Sequence, residues 1–126
     1  MQIYNHDSPE SIAYKNNYVE LENWLDHLNY IGKEITNLVD LGKAQLTTKE
    51  DSQAVLEKFL KEKEVNDLKI IEFQKYQDGL PRAAECEDVE CDMFFVSEHE
   101  KFRKNYMQHL ENYRKVKEEY FSVLLK

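Results

Sequence analysis

The chain is expected to be all-α: an antiparallel, up-down-up bundle of three long helices. Three observations lead there. Three long stretches carry apolar residues at helical spacing. Each stretch is preceded by a helix-opening signal. Only 3 Gly and 2 Pro occur in 126 residues, too little turn material for a many-stranded β fold. This length suits a single domain, residues 1–126.

The first helix is expected over about residues 9–41. Ser8 can cap the free amides, Pro9 suits the first helical position, and Gly42 can supply a left-handed stop. Tyr14, Leu21, Leu28 and Ile35 recur at heptad spacing. Trp24, Ile31 and Leu38 form a second row, and Tyr18, Leu25 and Val39 a third. Three adjacent rows mark a helix that faces a core. Gly32 falls in the third row, where a missing side chain lets a neighbouring helix approach.

The second helix is expected over about residues 48–78, opened by a Thr47–Glu50 capping box and stopped by Gly79-Leu80-Pro81. Leu56, Phe59 and Leu60 begin its stripe, and Ile70 and Phe73 resume it. Between them the same rows hold Lys63, Asn66 and Asp67, while Val65 and Leu68 lie on another line. The pattern fits either a stripe that slips around the helix or a polar layer in mid-bundle, and the slip is the preferred reading.

The third helix is expected over about residues 98–125, because Ser97 and Glu100 have capping-box spacing. Phe102, His109, Val116 and Val123 make one row, and Tyr106, Tyr113 and Tyr120 the next. That leaves residues 79–96 as a structured connection. Three wide stripes carry more apolar surface than one small bundle hides easily, so self-association, most simply as a dimer, is expected to complete the core.

The net charge of −8 argues against nucleic acid and anionic membranes as partners. Lysines alternate with acids, as in Lys61-Glu62-Lys63-Glu64, the pattern of a solvated helix face. No apolar run is long enough to span a bilayer. The opening residues, Met1 to Asp7, show neither a basic leader nor an apolar stretch, so a cytoplasmic location is expected.

Candidate sites are few. Cys86 and Cys91 sit among carboxylates with His99 nearby, so soft and hard metal ligands lie close in sequence. The set is short of the four ligands of a structural zinc site, and two cysteines do not make a disulfide framework. His27 and His109 would lie at similar heights in an antiparallel bundle, near Asp67, as a second metal or hydrogen-bond layer. Residues 63–67 of the second helix belong to the same layer. No Glu-x-x-His, His-Glu-x-x-His, phosphate-cradling glycine loop or nucleophile elbow is present. No enzyme activity and no cofactor is therefore expected.

The run Met93-Phe94-Phe95-Val96 is either a cap over one end of the bundle or a docking patch for a protein partner or a second copy. The tyrosine row of the third helix reads as core with its hydroxyls at the rim, or else as an interface. The functional expectation is a small acidic bundle that acts by binding protein. A metal- or small-ligand-binding bundle is the alternative.

Overall fold

The computed structural model describes residues 9–45 and 52–125. The Ser8 cap and the Thr47–Glu50 box lie outside the described residues. Three long helices, α1 (Pro9–Gln45), α2 (Ser52–Gly79) and α3 (Val89–Leu124), form an all-α bundle, with a 3-10 turn (Leu80–Glu85) between α2 and α3. Among the described residues there is no strand.

Side-chain pairs fix the directions. Glu20 meets His99, His27 meets Tyr106 and Glu34 meets Tyr113, each pair 79 residues apart, so α1 and α3 run parallel. Going up α3 means going down α2: His99 meets Tyr76, His109 meets Asn66 and Glu119 meets Lys58. The backbones of α1 and α2 approach most closely, and those of α1 and α3 are the furthest apart. Long Tyr, Arg and Lys side chains span the wider gap.

The three-row stripe of α1 is the main wall of the core. Leu21, Leu28, Ile31 and Ile35 are fully enclosed, with Trp24, Leu25 and Val39 almost so. Enclosing a side chain of this kind stabilises the fold by roughly 1.5–3 kcal/mol. Trp24 is stacked between the rings of His99 and Tyr106, at centroid distances of 5.1 and 5.2 Å. Phe59 stacks on Tyr120 at 4.5 Å, and Tyr76 on Phe102 at 4.1 Å.

Three expectations are corrected and one stands. First, α1 does not stop at Gly42. It runs on to Gln45, because Gly42 is buried in a continuous helix and no described glycine has a positive φ. Second, α2 does end at Gly79, the expected stop. With φ −86° this glycine passes the chain from α2 straight into the 3-10 turn, where Pro81 is tolerated near the start.

Third, the stripe of α2 does not slip. Phe59, Asn66 and Phe73, seven residues apart, are its fully enclosed row, while Leu60 and Leu68 are exposed. The middle of the bundle is a polar layer. Fourth, α3 begins at Val89, so residues 89–96 of the expected connection belong to it and Ser97–Glu100 lies inside it. The true cap is Asp88, whose Oδ1 accepts from the Cys91 amide at 2.7 Å. Glu90 and Asp92 in the first turn also suit the positive end of the helix.

Candidate functional site

The bundle contains two polar systems. One is a ladder between α1 and α3. Glu20, His27 and Glu34 stand at heptad spacing on α1, facing His99, Tyr106 and Tyr113 at the same spacing on α3. Glu20 accepts from His99 Nε2 at 2.7 Å and from the Arg103 guanidinium at 2.6 and 3.1 Å. Glu34 accepts from the Tyr113 hydroxyl and from Lys117 Nζ, the latter at 2.7 Å. At the far end the Tyr120 hydroxyl donates to the Leu38 carbonyl. The tyrosine row is thus core, with each hydroxyl bonded across to α1.

The electrostatics follow from these contacts. The Arg103 guanidinium holds the Glu20 carboxyl below the usual range. Burial opposes ionisation of Glu34, but Lys117 and Tyr113 outweigh it and its pKa is also lowered. Burial holds His99 below the ordinary histidine value despite Glu20. The Glu20–His99 contact is therefore a hydrogen bond to a neutral ring, and Arg103 is the counter-ion of Glu20. Nε2–H of His99 donates to Glu20, and Nδ1 accepts from the Tyr76 hydroxyl at 2.6 Å, a phenol that burial keeps protonated.

The second system is the mid-bundle layer. Asn66 Nδ2 donates to the Leu28 carbonyl at 2.8 Å, so its Oδ1 is left to accept from His109 Nε2, also at 2.8 Å. Nδ1 of His109 then carries a lone pair towards Glu62 Oε1, 3.8 Å away and too far for a hydrogen bond. That oxygen is buried with no partner among the described residues. Burial pushes Glu62 up and pulls His109 down to about 4. Two groups both shifted towards neutrality do not form an ion pair, whatever their separation.

Gly32 packs against this layer, yet a Cβ there would lie 3.6 Å from Asn66 Nδ2, an ordinary contact. The helices do not require a missing side chain at that point.

The proposed metal ligands do not converge. Cys86 and Cys91 are joined as a disulfide, with Cα atoms 5.5 Å apart, so neither offers a thiolate. Both ring nitrogens of His99 are engaged within the bundle. His27 is bonded through Nδ1 to Tyr106, and His109 through Nε2 to Asn66. Asp67 turns outward and pairs with Lys63 at 3.0 Å. Among the described residues no group of three or more His, Cys, Asp or Glu side chains is placed to hold a metal.

Met93, Phe94 and Val96 are 65%, 57% and 60% exposed, and Val89 is 70% exposed. They are not a cap over the bundle end. Val89, Met93 and Val96 are four and three residues apart, so they share one line along the first two turns of α3. Phe95 is half-buried, lining a crevice with Ala13, Tyr14 and Asn17 of α1. Phe94 packs edge-on against it at 5.3 Å and borders Tyr76, Gly79 and Arg82. The Asp88 cap and the Cys86–Cys91 bridge anchor this segment to the 3-10 turn. The patch is exposed but held in place.

Sequence reasoning found the patch but missed the ladder. The signals were present: His99 lies seven residues before Tyr106, and Glu20 and Glu34 flank His27 at the same interval. Comparison with protein-family models, curated proteins and solved structures found no match. No helix among the described residues is long and apolar enough to cross a membrane.

Proposed function

We propose that this chain is a protein-binding module whose docking surface is the start of α3. The carrying observation is the exposed apolar line Val89–Met93–Val96 with Phe94 beside it, on a segment pinned by a cap and a disulfide. A rigid apolar ridge suits an apolar groove, because little ordering entropy is lost on docking. Glu87, Asp88 and Glu90 are exposed around it, so the groove would carry a basic rim. The ladder and the mid-bundle layer serve as scaffold in this reading, since most of their polar groups bond one another. The Cys86–Cys91 bridge favours an oxidising compartment over the cytoplasm expected from the sequence.

A photo-reactive residue in place of Phe94, irradiated in the native host, tests the reading. One discrete protein adduct is expected. It should disappear when Met93→Lys and Val96→Lys are added and persist when the distant, exposed Met107 is changed to Lys. No adduct, or an adduct indifferent to the ridge lysines, would reject it.

A further inference from the structure

A second exposed line lies on the outer face of α2. Leu68 and Ile71 are 64% and 50% exposed at its centre, flanked by Val65 and Leu60. On either side the line continues through charges. Glu64, Lys61 and Glu57 lie towards the start of α2, and Lys75 and Asp78 towards its end. All are exposed. The steps alternate four and three residues from Glu57 to Asp78, the seam spacing of a coiled coil. None of these five charges has an ion-pair partner among the described residues.

We propose that α2 pairs antiparallel with α2 of a second copy, about a two-fold axis between Lys69 and Ile70. In that register Leu68 faces the second copy's Ile71. The next layers set Glu64 against Lys75, then Lys61 against Asp78. Symmetry makes each pair occur twice. Every directly facing charge meets its opposite around an apolar centre.

The alternatives fail on the same residues. A parallel pairing sets each charge against itself. An antiparallel pairing shifted by one heptad sets Leu68 against Glu64, or against Asp78. Facing like charges, or charges facing apolar groups, disfavour both. The apolar centre is small, so the pairing is expected to be reversible and weakened by salt. This surface is separate from the Met93–Val96 ridge, and its failure would leave that proposal standing.

Sedimentation equilibrium of the full chain in low-salt buffer, over a wide concentration range, provides the test. Circular dichroism would confirm that each variant keeps its helix content. The wild type is expected to dimerise. Glu64→Lys sets lysine against Lys75 twice, and Lys75→Glu sets carboxylate against Glu64 twice. Each is expected to raise the dimer dissociation constant at least ~10-fold. The double variant, Glu64→Lys with Lys75→Glu, restores opposite signs and should return to within about threefold of wild type. A chain that stays monomeric up to about 1 mM would overturn the proposal. So would a dimer insensitive to the single reversals, or a double variant no stronger than they are.

Discussion

Asn66 is fully enclosed and uses both ends of its amide: Nδ2 on the Leu28 carbonyl, Oδ1 on His109. A polar residue in an apolar row is a costly choice that holds a helix in one register, because sliding α2 along α3 strands two polar groups at once. Replacing Asn66 by Leu should therefore cost more than one hydrogen bond is worth. It leaves the His109 Nε2–H buried without an acceptor, a penalty of about 1–3 kcal/mol. Adding His109→Leu removes the orphan, and the double variant is expected to recover most of the loss or to exceed wild type. Urea unfolding of the four proteins in the cycle measures this. Additive effects would mean that the two side chains do not act as a pair.

At the scale of the helices, α3 owes its first two turns to two clamps, the Asp88 cap and the disulfide. The bridge closes a loop of sequence separation 5, for which loop-closure entropy gives about 2 kcal/mol. Cys86→Ser should lower stability by roughly that amount and speed amide exchange in residues 89–96, with the middle of α3 little changed. Uniform acceleration along the helix would show that the clamp is not local.

The same segment shows where the sequence was and was not legible. The rows Leu21–Leu28–Ile35 and Tyr106–Tyr113–Tyr120 named the cores of α1 and α3 because each repeats several times. The start of α3 was hidden by a decoy. Ser97 and Glu100 have the spacing of a capping box, yet an amide inside a continuing helix needs no cap. Gly42 misled in the same way, since a glycine stops a helix only where the chain must turn. The polar layer had a readable signature, Asn66 midway between Phe59 and Phe73, but a polar residue in an apolar row is equally the mark of a stripe that slips. The patch at Met93–Val96 was visible from composition. That its line faces solvent depends on helical phase, and the phase was unknown without the true start of α3.

Over the whole molecule, the buried titratable groups make the bundle sensitive to acid. The unfolded chain protonates His109 near the ordinary histidine value of 6.5, the folded chain only at about 4. Protons therefore favour unfolding across that window. The stability tied to the neutral ring is complete above the upper value and is lost as pH falls through it towards the lower, about 3 kcal/mol in all. His99 is shifted in the same direction by burial and acts with the same sign. Glu20 and Glu34 have lowered values, so the stability they confer is present above 4.5 and disappears below it. Glu62 opposes them: its raised value means that protonation relieves a buried, unpartnered carboxylate before the others are affected. Urea unfolding at pH 7.5, 5.5 and 4 should thus show stability falling at each step, with the upper part of the fall due to histidine. In the variant carrying Asn66→Leu and His109→Leu the decline between the first two values should be visibly shallower, while the fall below 4.5 remains. A wild-type curve flat down to pH 4 would mean that His109 is not held neutral by the bundle.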